Sequence, residues 1–252
     1  MKKFSGIAAS FALLMSVSAC IDNSPEPALL YSDVYQYITK SEAGAGYEYQ
    51  LKAGTYVVEA NVDKIYLTDP SGSEYDFEAV VSDYLYQYQS EKQAEPFAEG
   101  TYRMSALLDG GESISVADIM SYNGVLPVEI ISCEYAGTAV NFEFAVNEYA
   151  EGYEFYVLKE RYEENSAGVM ELVTDVLYSE VKYITTDNSS DFAGPTYTGT
   201  ISPSFFDQDI TLEDGDELVL RINAIDYQEL TYSVFVHALA SSRTTFIWGV
   251  EE

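Results

Sequence analysis

The feature that most constrains the fold of this chain is a period-two alternation of apolar and polar residues. Val140, Phe142 and Phe144 alternate with more polar neighbours, and the runs at 55–62 and 218–225 repeat the pattern. Successive side chains of a β-strand point to opposite faces, so each run predicts a strand with its more apolar side on a core. For the run at 55–62, this places Tyr56 and Val58 on the core side.

Tight-turn sequences separate the alternating runs. They are Asp69-Pro70-Ser71-Gly72, Asp109-Gly110-Gly111, Tyr135-Ala136-Gly137 and Asp214-Gly215-Asp216. Asp and Gly favour turns because the first hydrogen-bonds nearby backbone and the second adopts positive φ. Two other stretches, 30–38 and 77–88, fit either a helix or a strand by spacing, and the tyrosines of the second favour a strand.

The N-terminus has the parts of an export signal. Lys2-Lys3 precede an apolar run from Phe4 to Ala19, which is too short for a permanent span of roughly 20 apolar residues. The stretch Val17-Ser18-Ala19-Cys20 resembles the lipobox of bacterial lipoproteins. The resemblance implies removal of a signal peptide, residues 1–19, and attachment of diacylglycerol to the Cys20 thiol. An ordinary secretory signal that contains a cysteine is the alternative.

The residues after Cys20 bear on localisation. In enterobacterial lipoproteins, an aspartate directly after the cysteine tends to retain the protein at the inner membrane. Here Ile21 holds that position, which favours the outer membrane over the inner one. Residues 20–27 include two prolines and predict a short extended tether.

The net charge restricts the partners of the chain. It is −30, and removal of residues 1–19 takes away two lysines and no acid, which changes it to −32. Such a charge repels phosphate backbones and anionic headgroups, so we expect no nucleic acid partner and no membrane contact beyond the lipid. Hydrophobic residues at 47% of the chain, with 23 tyrosines, predict a folded protein.

Short repeated phrases bear on domain organisation. Gly-Thr-Tyr occurs at 54–56 and 100–102, and a related phrase lies at 212–218. These phrases resemble the turn that enters a core strand in bacterial immunoglobulin-like and fibronectin-type sandwiches, where the glycine has positive φ. The resemblance implies an all-β chain of one or two antiparallel β-sandwich domains. A composition change after Ser121 predicts two, at 28–123 and 124–252, and one larger sandwich is the alternative.

Few residues suit catalysis. We expect His237, the single histidine, on the solvent side of its strand, with no nucleophile or orienting group nearby. If Cys20 is lipidated, Cys133 is the only thiol, and we expect it buried on one strand face with Ile131 and Tyr135. One histidine and one thiol cannot form a zinc site with N and S ligands. The sequence lacks nucleotide-binding glycine motifs and a Gly-x-Ser-x-Gly elbow, so no catalytic residue is predicted.

Tyrosines form one candidate binding surface. Tyr84, Tyr86 and Tyr88 would share a strand face and make a ladder able to stack on sugar rings or on a protein partner. The alternative is that these rings cover the core.

Carboxylates offer weak calcium candidates. They are Asp69, Asp76, Asp207, Asp209, Asp214 and Asp216. Calcium needs six to eight oxygens, and the segment at 69–76 lacks the glycine and terminal glutamate of an EF-hand. We therefore expect no cofactor, with calcium as the exception to test.

These observations predict a lipid-anchored module of the cell envelope that binds or supports a partner without catalysis. The partner is an envelope protein or a glycan. A glycan-binding lipoprotein for polysaccharide capture is the first alternative, and a hydrolase with a carboxylate pair is the second.

Overall fold

A computed structural model of the chain describes residues 29–249, apart from residues 43, 45, 59–60, 78, 83–84, 167, 186 and 231–232. At residues 79–82, 85, 228–230 and 233–235 it describes the backbone alone. The described chain divides into two compact units. The first unit comprises residues 29–124 and 226–239, and the second comprises residues 125–225 and 240–249.

The first unit consists of antiparallel strands. Those before residue 124 are β1 (Leu29–Lys40), β2 (Tyr47–Val58), β3 (Val62–Thr68), β4 (Glu74–Asp76), β5 (Ala79–Ser82), β6 (Leu85–Gln89), β7 (Gly100–Leu108) and β8 (Ser113–Met120). They form sheets of order β1-β2-β6-β5 and β4-β3-β7-β8. The stretch 30–38, which fitted either a helix or a strand, lies within β1, and the stretch 77–88, which also fitted either, includes β5 and most of β6.

The core of the first unit draws on both of its sheets. Val34 and Leu51 belong to one sheet, Leu67 and Met104 belong to the other, and all four are at most 1% exposed within one apolar cluster. Full burial of such a side chain stabilises the fold by about 1.5–3 kcal/mol. Apolar faces packed between sheets make this unit a β-sandwich.

The buried face of β2 is the opposite of the predicted one. Thr55 and Val57 are 0% and 1% exposed, whereas Tyr56 and Val58 are only partly buried. The strand begins at Tyr47, and Leu51 already points into the core. This earlier residue determines which alternate side chains of β2 are buried, and it precedes the run at 55–62 on which the prediction was based. Thr55 tolerates burial because its hydroxyl donates to the Tyr31 carbonyl at 2.7 Å.

The glycines of the repeated phrases differ in conformation. Gly100 and Gly215 have φ of +137° and +95°, as the sandwich resemblance implies. Gly54 does not, because it lies inside β2, where it is paired with Asp33 on one side and Gln87 on the other. The expected turn at Gly54 is therefore wrong.

The second unit also has two sheets of antiparallel strands. Its strands are β9 (Ile130–Tyr135), β10 (Val140–Ala145), β11 (Gly152–Glu164), β12 (Met170–Tyr183), β13 (Thr196–Ile201), and parts of β14 (Glu217–Leu230) and β15 (Ser233–Ile247). The sheet orders are β12-β11-β14 and β13-β10-β9. Short 3-10 turns lie at Ser189–Phe192 and Pro203–Phe205.

Aromatic rings fill the core of the second unit. Phe142 and Phe144 of β10 are 4% and 0% exposed, which confirms the predicted alternation. Phe142 lies 5.4 Å from the Phe155 ring, and Phe144 lies 4.9 Å from the Tyr153 ring of β11. Such pairs contribute about 0.5–1.5 kcal/mol beyond area burial.

A bulge in β9 disrupts the alternation predicted around Cys133. Phe144 opposes Ile130, while Glu143 opposes Ser132, so Ile131 is the extra residue. Ile131 is 51% exposed and Cys133 is only half-buried, so the expectation that they share a core-facing side is wrong.

The division of the chain differs from two consecutive domains. The chain passes from the first unit to the second after Gly124, but residues 226–239 of the expected second domain belong to the first unit. The strands β14 and β15 are 14 and 15 residues long, and each contributes to both units. No change of local composition marks a division inside a strand.

Candidate functional site

The outer part of the β11–β12 hairpin is the candidate functional site. Its inner part is paired with β14, and that ladder ends where Leu158 opposes Val219. Beyond Leu158, β11 and β12 continue as a two-stranded ribbon to the turn at Asn165–Gly168. We call residues 159–175, without residue 167, the distal ribbon.

One face of the distal ribbon exposes large apolar side chains. Tyr162 is 68% exposed, and Leu172, directly opposite on β12, is 49% exposed. Met170 lies two residues from Leu172 on the same face and is 57% exposed. Val176, opposite Leu158 just inside the ribbon, continues this face and is also exposed. Grouped apolar residues on a surface are typical of an interaction site, whereas isolated ones are common.

The opposite face of the distal ribbon carries charge. Arg161 pairs with Glu163 at 2.6 Å and also with Asp175. Glu163 lies opposite Glu171 in the ladder, a like-charge arrangement that Arg161 offsets on one side. This face carries three acids, Glu163, Glu171 and Asp175, and two bases, Lys159 and Arg161. The other two acids of the segment, Glu160 and Glu164, alternate with Tyr162 on the face of the apolar residues.

Ion pairs fasten the base of the distal ribbon. Lys159 lies 2.6 Å from Asp216, and Arg243 of β15 lies 2.6 Å from Glu160. The hydrogen bonds from Lys159 and from the backbone N–H of Glu213 lower the pKa of Asp216. These contacts hold the start of the ribbon on the second unit, while its apolar face stays in solvent.

A second polar cluster surrounds His237 in the first unit. The ring is 8% exposed, so the expectation of a solvent-facing histidine is wrong. Its Nδ1 shares a hydrogen bond of 2.7 Å with Ser121 Oγ, and Asp118 is close enough to interact with the ring electrostatically. The fold thus brings a hydroxyl and a carboxylate to the histidine that local sequence did not supply.

The acids of this cluster have perturbed pKa values. Asp118 Oδ2 accepts from the backbone N–H of Val34 at 2.7 Å, and burial raises the pKa of Asp118. Burial and the nearby Asp118 raise the pKa of Asp33 well above its usual range. Catalytic sites show similar perturbations, but a substrate must reach them. Asp118 and His237 are 7% and 8% exposed, so the cluster is closed and suits a structural role.

The predicted tyrosine ladder is partly described. Tyr84 lies outside the described residues. Tyr86 and Tyr88 are half-buried and pack against the apolar cluster of the first unit. The Tyr88 ring lies 5.8 Å from Tyr75 and 5.7 Å from Phe77. These contacts use part of the ring surface that stacking on a ligand would need.

The calcium candidates are distributed over turns and ion pairs. Asp69 accepts from the backbone N–H groups of Ser71 and Ser73 at 2.8 and 2.9 Å, and Asp76 pairs with Lys64 at 2.7 Å. Asp207 Oδ1 accepts from the backbone N–H of Asp209 at 3.0 Å. Among the described residues, no three acidic, histidine or cysteine side chains group as metal ligands would.

The two cysteines differ in what the structure describes. Cys20 lies outside the described residues. Cys133 is a free, half-buried thiol, and burial with the nearby Glu134 raises its pKa to about 12. A thiol with so high a pKa is a poor nucleophile at neutral pH.

Sequence reasoning missed the distal ribbon, although a signal for it exists. The turn at Asn165–Gly168 separates two alternating runs, and Met170 and Leu172 occupy one side of the second. Alternation alone would have assigned that side to the core. Only the end of the β11–β14 ladder shows that it is exposed.

Comparisons with known proteins give little further information. No family model matches the chain, and a search of curated proteins finds no match. Among solved structures, the chain is similar to a tetra-tandem repeat in the extending region of a large adhesion protein, at 14% identity and a TM-score of 0.23. The match covers 86% of this chain and 49% of that one, so the chain spans about half of its length. A TM-score this low supports no argument about function.

The helical segments in the described part of the chain are short. None of its helical segments has the length and hydropathy that a transmembrane helix requires.

Proposed function

We propose that the protein is a lipid-anchored module of the bacterial cell envelope that binds an envelope protein and does not catalyse a reaction. The observation that carries the proposal is the distal ribbon, whose exposed Tyr162, Leu172 and Met170 form one apolar face. Burial of such a face on a partner is favourable by about 25 cal/mol per Å². His237, Ser121 and Asp118 are the residues that most resemble a catalytic group, and the burial of His237 and Asp118 supports a structural role for them.

The anchor follows from the lipobox resemblance at Val17-Ser18-Ala19-Cys20. A diacylglycerol thioether on Cys20, with a further acyl chain on the new N-terminus, would supply the two or more hydrophobic signals that stable anchoring needs. The acidic chain would then be held near a membrane surface that its charge does not favour. We place it at the outer membrane because Ile21, rather than an aspartate, follows the cysteine.

Anchoring is tested by metabolic labelling with a palmitate analogue. The wild-type chain is expected to take up the label and to fractionate with membranes, and Cys20→Ser is expected to lose both. Cys133→Ser is the matched control because it removes the other thiol and leaves the lipobox intact. Equal labelling of wild type and Cys20→Ser would contradict the anchor.

Binding is tested by photo-crosslinking in intact cells, with a photoreactive residue in place of Tyr162. A matched probe replaces Ile119, which is 61% exposed on β8 of the first unit. The proposal expects that the probe at position 162 crosslinks to a discrete protein. The probe at position 119 should not crosslink to that protein. A glycan array is run in parallel with the purified protein. Clear sugar binding without a crosslinked protein would overturn the proposal in favour of a glycan-binding lipoprotein.

A further inference from the structure

The edge of β12 offers backbone groups for strand pairing. β12 is the last strand of its sheet, and its ladder is with β11. Near the turn, the Asn165 N–H donates to the Val169 carbonyl at 2.8 Å, so these residues form an inward-bonded pair. Antiparallel pairs alternate between inward-bonded and outward-facing residues. The N–H and C=O groups of Met170, Leu172 and Thr174 therefore point away from β11.

The inner part of the same edge is protected, unlike the distal part. Leu177 is the extra residue of a bulge opposite Val157, and its carbonyl accepts from the Asp207 N–H at 2.8 Å. Bulges and covering loops are common means of blocking sheet edges. Within the described residues, no loop forms a backbone hydrogen bond of this kind with Met170, Leu172 or Thr174. The accessible edge is thus the five-residue stretch from Met170 to Thr174.

The side chains on the two faces of this edge define what could pair with it. An added strand would place alternate side chains beside Met170 and Leu172 of β12, with Tyr162 one strand further away on β11, and apolar groups are favourable there. Its remaining side chains would lie on the face of Glu163, Glu171 and Asp175, where three acids exceed the two bases Lys159 and Arg161, so cationic groups are favourable there. A second copy of this chain is a poor occupant, since each copy carries a net charge of −30.

We infer that the β12 edge from Met170 to Thr174 binds an extended segment of a partner protein by strand addition, and that this segment alternates apolar residues with lysine or arginine. In this mode, the main-chain hydrogen bonds supply affinity and the alternating side chains supply specificity. The inference rests on the proposed function, because it names the partner segment and the surface that receives it.

The test measures binding of a fluorescent peptide that alternates valine with lysine, using protein purified from the native envelope in mild detergent. A peptide that alternates valine with glutamate is the charge control. Two changes at one position separate backbone pairing from apolar contact. Leu172→Ser removes the side chain and keeps the N–H, whereas Leu172→Pro also removes the outward N–H without breaking the ladder to β11.

The inference expects saturable binding of the lysine peptide that weakens with salt, and no binding of the glutamate peptide. Leu172→Pro is expected to bind about tenfold more weakly than Leu172→Ser, which matches the loss of about one hydrogen bond. Tyr162→Ser should weaken binding as well, while Ile119→Ser should bind as wild type does. Circular dichroism and Trp248 fluorescence verify that each variant is folded.

Several outcomes would overturn the inference. They are absence of lysine-peptide binding, equal binding of the glutamate peptide, equal affinities of Leu172→Pro and Leu172→Ser, and a Leu172-dependent dimer in sedimentation. Failure of the proposed function is seen separately, in the photo-crosslinking experiment. A crosslinked envelope protein that Leu172→Pro leaves unchanged would retain the proposed function and exclude this edge as its site.

Discussion

Gly199 of β13 lies directly beneath the ring of Phe142, and replacing it tests the packing of the second unit. A Cβ at this position would be 2.2 Å from Phe142 Cζ and 2.7 Å from both Cε atoms. Carbon atoms in contact are normally about 3.5–4.0 Å apart, so the ring would have to move by more than about 1 Å. The ring is 4% exposed and packs against Phe155 and Tyr197, which leaves it little room.

The expected cost of Gly199→Ala follows from these distances. Overpacking of a close-packed core costs about 1–3 kcal/mol. Alanine also gains about 0.5–1 kcal/mol over glycine inside a strand, because glycine loses more conformational freedom on folding. The net expectation is that Gly199→Ala lowers the free energy of unfolding of the second unit by about 1–2 kcal/mol.

Guanidinium unfolding followed by Trp248 fluorescence measures this change in one unit. Trp248 is the only tryptophan of the chain, and its ring lies 4.3 Å from Tyr135 and 5.6 Å from Phe206, all in the second unit. The midpoint should fall while the slope of free energy against denaturant stays constant.

Gly54→Ala is the matched control for this experiment. Gly54 is also a strand glycine without positive φ, but an added Cβ there would meet nothing within 4 Å. It lies in the first unit, so the Trp248 transition should not move. If Gly199→Ala unfolds at the wild-type midpoint, the reasoning that Phe142 is packed on the glycine is refuted.

Two further predictions concern ionisable groups. Burial and Asp118 raise the pKa of Asp33, so the folded state holds this proton more tightly than the unfolded state and wild-type stability falls as pH rises through the folded pKa. Thermal unfolding by circular dichroism should therefore show Asp33→Asn gaining on wild type as pH rises from about 4 to neutrality, and a difference independent of pH would contradict this. Burial and Glu134 raise the pKa of Cys133 to about 12, so alkylation of this thiol at neutral pH should be slow in the native protein and fast in denaturant. Equal rates in the two states would show that the thiol is not protected.

The fold was more predictable than the candidate site. Alternation identified the strands around Phe142 and Phe144, because a side-chain period of two is a local property of a β-strand. Alternation does not say which of two similar faces of a strand is buried. In β2, Leu51 and Val57 lie on the same face, and both are packed in the core of the first unit. The distal ribbon has a visible turn and alternation, but its exposure depends on where the β14 ladder ends, which is a long-range fact.

Residues near His237 show the same limit. Ser121 and Asp118 are more than a hundred positions away in sequence, so no local pattern associates them with the histidine. Ser121 and Asp118 lie near His237 because residues 226–239 belong to the first unit. The boundaries between the two units fall inside β14 and β15, and no change of composition marks them.

The sequence by itself determined the all-β class, most of the turns, the acidic charge, and the resemblance of Val17-Ser18-Ala19-Cys20 to a lipobox. Each depends on composition or on neighbouring residues, so a linear reading suffices. The tertiary structure alone decided the buried face of β2, the closed environment of His237, the contact of Phe142 with Gly199 and the exposed edge at Leu172. Each of these depends on which distant strands pack together, and a local period carries no information about that choice.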